Sequence, residues 1–241
     1  QPAPGVGNPG GVNFGGFVTG LSGFGFGLVS MGFLPFFMSI RVANPFVSIF
    51  SILIFLVMFY PLRRHIRFDT LLPLLVGAAV GIPLGIFGLA HLDEVILKRA
   101  LGGLILVYLV YDLLLRQRLP GDLHRAWGYP AGLLAGAFSG AFSVSGPVAI
   151  AYINSRHGDK LTLKANMVTY FLFLLVYKLP LLFLGGLITK EVLRYVLILS
   201  PPTAAGLAAG LLLFRRVSNR VFSRIVQGVL LVSALLLLFR P

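Results

Sequence analysis

The chain has no cysteine among its 241 residues, which excludes disulfides, thiol chemistry and thiolate metal sites. Charge is scarce as well. Only 11% of residues are Asp, Glu, Lys or Arg, less than half the share usual in a soluble domain, so a water-facing surface cannot be assembled. Acids are the rarest group, with 7 against 20 basic residues. Asp69, Asp93, Glu94, Asp122, Asp159 and Glu191 fall in loops or at helix ends, and Asp112 closes an apolar stretch. His65, His91, His124 and His157 also sit between apolar stretches. No carboxylate or imidazole is therefore expected at depth, which excludes a buried acid or histidine relay and a divalent-cation cage. No metal and no cofactor is expected. The basic residues come in short runs such as Arg63-Arg64-His65-Ile66-Arg67, without interleaved aromatics. That pattern is topology charge and not a nucleic-acid surface.

What the chain has is hydrocarbon. Apolar residues make up 57% of it and mean hydropathy is +0.93. Disorder is excluded by that hydrophobicity, and a polytopic membrane protein is expected. Gln1–Gly11 is rich in Pro and Gly and lacks a basic stretch, so it does not read as a signal peptide. A spanning helix needs about 20 apolar residues. Six segments meet this simply: 43–61, 71–90, 95–115, 165–186, 192–214 and 220–239. Helix starts are expected at Asp69 or Thr70, Asp93, Thr189 and Ser218.

Two further apolar stretches, 12–40 and 129–154, are interrupted. The first contains Ser22-Gly23-Phe24-Gly25-Phe26-Gly27 and the second runs from Ser139-Gly140 to Ser143-Val144-Ser145-Gly146-Pro147. A helix interior loses roughly 1 kcal/mol per Gly and 3 per Pro, so neither stretch reads as one continuous helix. Charge separates the alternatives. If both stretches cross, basic residues divide almost evenly between the two sides. If both turn back, Arg41, Lys98, Arg99, Lys190, Arg194 and Arg240 share one side. The other thirteen loop bases then lie opposite, and Lys178 inside a span completes the 20. Only the second arrangement has the bias of membrane topology. Arms of about 12 residues reach roughly 18 Å, halfway through a bilayer core. Six crossings and two half-depth hairpins are expected, with both termini outside.

The halves resemble each other. Ser22-Gly23 matches Ser139-Gly140, Ala43-Asn44 matches Ala165-Asn166, and Gly81 and Gly85 match Gly206 and Gly210. Arg99 matches Arg224, and Gly103 matches Gly228. Each half is then one hairpin plus three crossings, and an odd number of crossings inverts the second copy. The expected fold is thus all-α: two inverted repeats, about 14–116 and 129–239, after a flexible tail over 1–13. Inverted repeats with broken helices at the midplane are a plan of secondary transporters. Glycines four residues apart allow close helix packing.

Broken helices leave backbone N–H groups free at depth, where ligand or protein must satisfy them, and helix N-termini suit anions. The candidate binding residues are Ser22, Gly23, Gly25 and Gly27 in the first hairpin. In the second they are Ser139, Gly140, Ser143, Ser145 and Gly146. Asn44 and Asn166 hold equivalent positions and serve either a ligand or a helix contact. Lys178 lies about 20 Å along its span from Ala165. It either faces a bound anion or snorkels to the outer interface. Phe24, Phe26 and Phe142 are read as packing. Ser145-Gly146 has the look of an intramembrane nucleophile, but that chemistry needs a base. No histidine lies in a span, and nothing in the spacing pairs Lys178 with Ser143 or Ser145. No catalytic residue is assigned.

The stretches GFVTGLSGFGFGLVSMGFLPFF and GLLAGAFSGAFSVSGPVAIAYI, with the Ala-Asn pair and the Leu-rich last span of each half, resemble the sulfite exporter TauE/SafE family. The likeness covers residues 14–239. Ser145-Gly146-Pro147 departs from it, because family members more often carry a glycine run there. The resemblance implies a multi-pass protein of the bacterial inner membrane. It also implies movement of sulfite or a small organosulfonate, with one half rocking against the other. The expected partners are a small sulfur-containing anion and membrane lipid, not nucleic acid, and self-association stays open. A channel-like pore is the near alternative. A lipid-active enzyme or a scaffold is the distant one.

Overall fold

The computed structural model describes residues 26–115, 123–156, 159–198 and 219–239. Ser22, Gly23, Gly25, Phe24, the tail over 1–13, Ser218 and the Gly206/Gly210 pair lie outside them. The described residues are helical and carry no strand. In chain order, α1 is Phe26–Phe33, α2 Ile40–Leu62, α3 Phe68–His91 and α4 Glu94–Val110, which runs on into a π-turn at Tyr111–Leu115. The second set comprises α5 Gly128–Phe142, α6 Gly146–Ser155 and α7 Lys160–Leu184, then α8 over residues 190–198 and α9 Asn219–Phe239.

Three helices, Ile40–His65, Phe68–His91 and Leu161–Leu184, are long and apolar enough to cross a membrane. The expected spans 95–115 and 220–239 are helical too, and 192–214 is described only as far as residue 198. Side-chain placement fits a lipid surround. On α3, Leu72, Val76, Val80 and Leu84 recur every fourth residue and are exposed, while Leu71, Leu74, Ala78 and Ile82 on the other side are buried. A helix with an exposed apolar stripe needs an apolar solvent.

The most intimate contact joins α3 to α5. Carbons built at Gly77, Gly81 and Gly85 would stand 2.1 Å from the carbonyl oxygens of Tyr129, Leu133 and Ala137. In return, Gly132 and Gly140 face the carbonyls of Leu74 and Ile82 at 2.1 and 2.4 Å, and Gly136 abuts the Ala78 backbone at 2.7 Å. Six glycines thus let two backbones touch, with sequence numbers rising together, so α3 and α5 are parallel. Gly103 and Gly228, also matched between the halves, face open space.

Helix ends are closed by neighbours. The Ile40 N–H at the start of α2 donates to Glu94 Oε1 at 2.7 Å. Arg41 Nε and Nη2 donate to the Leu89 and Leu92 carbonyls at 3.1 and 2.7 Å, across the end of α3. These bonds supply groups that a helix terminus leaves unpaired. The start of α3 corrects the sequence reading. It lies at Phe68, with Arg67 as cap residue and not Asp69 or Thr70. The Arg67 N–H donates to Asn166 Oδ1 at 2.9 Å, so the cap comes from α7. Asp93 does precede α4, and Thr189 Oγ1 accepts from the Val192 N–H at 3.3 Å.

The 129–154 stretch breaks where the Ser-Gly-Pro sequence predicts. α5 ends at Phe142, and Ser143 takes the left-handed conformation, φ 55° and ψ 23°. α6 starts at Gly146 with Pro147 in its first turn, where the missing N–H costs nothing. The chain then returns. Tyr152 Oη donates to the Arg125 carbonyl at 3.3 Å, and Arg156 Nη1 to the Leu123 carbonyl at 2.7 Å. The end of α6 is therefore beside the start of α5.

Candidate functional site

The left-handed turn at Ser143 gathers polar groups from three helices. Its own N–H donates to the Ser139 carbonyl at 2.9 Å, the usual closure of a helix end. Its Oγ receives Lys178 Nζ of α7 at 2.7 Å. That Oγ also lies 3.1 Å from Asn44 O, Asn44 Oδ1 and Ser48 Oγ of α2. Lys178 Nζ makes a second bond, 2.6 Å, to the Ser139 carbonyl. Asn44 Nδ2 donates to the Gly140 carbonyl at 2.8 Å, which fixes the orientation of its amide. Ser48 Oγ donates to the Asn44 carbonyl at 2.8 Å.

Lys178 is 0% exposed. Snorkelling is therefore not its role: the ammonium turns inward onto the carbonyl end of α5, where the helix dipole favours a cation. Among the described residues an ion pair joins Arg67 to Asp69, at 3.6 Å. No carboxylate among the described residues answers Lys178. Sequence spacing gave no reason to join Lys178 to Ser143, and the structure corrects this, because the two meet directly.

A small cavity opens at this cluster. It is lined by Gly27, Ser51, Phe55, Ser139, Ser143, Ser145, Phe171, Leu174 and Leu175 and holds about 30 Å³, room for one or two waters. Ser145 is the cap residue of α6, so the N-terminal end of that helix belongs to the wall. A carbon built at Gly27 of α1 would stand 2.7 Å from the Ser143 carbonyl. Only glycine lets α1 approach the turn so closely. Phe55 and Phe171 pack with ring centroids 5.3 Å apart and close one side. A larger cavity of about 530 Å³ lies among Leu104, Val107, Phe138 and Val148. Its walls are hydrocarbon and aromatic and give an anion little to bind.

Of the sequence candidates, Gly27, Asn44, Ser139, Gly140, Ser143, Ser145, Gly146 and Lys178 come together. Asn166 does not: it is bonded to Arg67 at the other end of α3. Phe142 is buried in the core, as packing requires. Ser48 and Ser51 were missed. Their signal was present, since 44, 48 and 51 fall on one helical face. No group of three or more His, Cys, Asp or Glu suited to a metal occurs among the described residues.

An all-helical apolar fold and a buried ammonium beside serine hydroxyls define the class, a polytopic membrane protein whose interior chemistry suits negative charge. The sulfite exporter TauE/SafE family model matches residues 10–237, and the chain belongs to that family. It is thus a membrane transport protein of a family of anion exporters. Comparison with curated proteins and with solved structures gives no match.

Proposed function

We propose that this chain is a secondary transporter that exports sulfite or a small organosulfonate across the bacterial inner membrane by alternating access. The observation that carries the reading is Lys178, a buried cation with no carboxylate partner among the described residues, one hydrogen bond behind the serine wall of the cavity. A lone buried charge costs several kcal/mol. A transported anion is the natural counter-charge.

Two inverted halves, 14–116 and 129–239, fit the helix directions. Matched helices run antiparallel. Asn44 neighbours the group bonded by Lys178, while Phe55 meets Phe171, so α2 opposes α7. Asp112 bonds Gln227, while Gly102 packs on Ala234, so α4 opposes α9. A twofold axis in the membrane plane requires this. The return of α6 to the start of α5 supports a half-depth second hairpin. The thirteen-base side, with Arg63, Arg125 and Arg156, is then cytoplasmic. A cavity this small favours an occluded carrier over an open pore.

The test is uptake of labelled sulfite, methanesulfonate and isethionate by vesicles containing the full chain. Saturable flux is expected, with half-saturation in the millimolar range; linear flux would indicate a pore, and none a scaffold. An anion touching Ser143 Oγ lies about 5 Å from Nζ, an attraction of roughly 3 kcal/mol at an effective dielectric near 20. Lys178→Gln is expected to weaken anion binding about 100-fold while the protein still elutes as a folded monodisperse species. Unaltered affinity removes Lys178 from the site.

A further inference from the structure

Lys178 occupies a place in which an inorganic cation would be equally at home. Its Nζ lies on the Ser139 carbonyl at 2.6 Å and on Ser143 Oγ at 2.7 Å, and that hydroxyl touches the Asn44 carbonyl, Asn44 Oδ1 and Ser48 Oγ at 3.1 Å. These are neutral oxygens grouped at the carbonyl end of a broken helix, the kind of site that holds coupling cations in transporters. Here the cation is tethered to the protein. We propose that the coupling ion is a proton and that Lys178 carries it, one proton moving with each anion. This rests on the transport reading above.

The surroundings leave few other carriers. α1 and α5 hold no charged residue, and neither does α6. The titratable groups of α5 and α6 are Tyr129 and Tyr152, near the ends remote from the turn. α2 contributes Arg41 at its start and Tyr60 near its end, and α3 contributes Asp69 and His91 at its two ends. The turn at Arg63–His65, which also packs on α7, lies at the end of α2 away from Asn44. On α7 itself Lys160 and Lys164 lie in the first two turns, with Tyr170 and Tyr177 as the remaining groups. Glu94 of α4 accepts from the Ile40 N–H at 2.7 Å, one turn before Asn44, and no acid among the described residues bonds Lys178. The ammonium is therefore stable at depth when an anion is beside it and unfavourable when the cavity empties. Anion arrival and protonation are linked through one Coulomb pair. Loading takes an anion and a proton from the same side. Release returns both to the other side, and the amine resets neutral. For a monoanion no net charge crosses.

The linkage is read in vesicles reconstituted with the full chain, containing a pH-sensitive dye and clamped with potassium and valinomycin. Methanesulfonate and isethionate stay ionised near neutral pH, so protons that enter must come with the carrier. Their uptake is expected to acidify the lumen mole for mole and to ignore an imposed 100 mV. An uncoupled monoanion would change its accumulation about fifty-fold at that potential. Lys178→Arg keeps the charge permanently. With sulfite and both sulfonates, net uptake by this variant is expected to fall tenfold or more below wild type, while the exchange of labelled for unlabelled anion that it retains exceeds its own net uptake. Lys178→Gln is expected to lose both. Wild-type uptake of a sulfonate without acidification overturns the inference while leaving transport intact, and so does net uptake by Lys178→Arg equal to wild type. If wild type moves none of the three anions, the transport reading fails and this inference with it.

Discussion

Gly81→Ala tests the packing on which the site depends. The added carbon would stand 2.1 Å from the Leu133 carbonyl oxygen, 2.9 Å from the Ala137 nitrogen and 3.0 Å from the Leu133 carbonyl carbon. All three are backbone atoms of a helix, so no rotamer can yield. The two helices must part by about an ångström to restore ordinary contact. Overpacking of this kind costs about 1–3 kcal/mol, and a clash with rigid backbone belongs at the upper end. Alanine recovers about 1 kcal/mol of helix propensity, leaving about 2 kcal/mol of destabilisation. At roughly 2–4 °C per kcal/mol, the unfolding midpoint in detergent should fall by about 4–8 °C. Gly103→Ala is the matched control, because nothing lies within 4 Å of its added carbon. That variant should hold its midpoint or gain up to about 1 kcal/mol. The assay is a thermal ramp of both purified variants beside wild type. Equal midpoints for the two alanine variants would refute backbone contact between α3 and α5.

Further outcomes follow from the cluster and from the chain path. Asn44→Ala should cost about 1–3 kcal/mol, because it orphans the buried Gly140 carbonyl and an acceptor of Ser143; chemical denaturation in mild detergent measures it. Ser143→Gly should melt higher than Ser143→Ala by about 1 kcal/mol, since glycine relieves the left-handed turn, while both lose flux equally because both lack the hydroxyl. The chain has no cysteine, so single introduced thiols report sidedness. Cysteines replacing His65 and His124 should label from one side, and those replacing His91 and Gly11 from the other. Labelling of the Gly11 cysteine from the His65 side would mean that the first interrupted stretch crosses.

Much of the site could be read before any coordinates. Ser-Gly-Pro at 145–147 forces a helix start, and Lys178 is conspicuous as a lone charge in a span. Asn44 stood out only because the two halves of the sequence match; for Asn166, singled out by the same match, the helix-contact alternative is the one seen, since its amide serves a helix start. Ser48 passed unnoticed because a serine in an apolar helix can bond the carbonyl four residues back, and it does so here. The bond between Lys178 and Ser143 joins residues 35 apart on two helices. It depends on how those helices cross, which no local pattern encodes. Two of the six seam glycines were visible as the pair Gly81 and Gly85, while the partner row of Gly132, Gly136 and Gly140 needed the pairing of α3 with α5. The start of α3 was misjudged for a similar reason, since its cap belongs to another helix.

The seam between α3 and α5 has a bearing on movement. It binds a helix of the first half to the broken arm of the second through main-chain contact at six glycines. Surfaces in register at that range have no side-chain slack in which to slide, so the two helices travel as one piece. Under the alternating access proposed above, the plane of hinging would therefore not follow the boundary between the two proposed halves. It would cut across both, with Lys178 on α7 reaching over that plane to the Ser143 turn it holds.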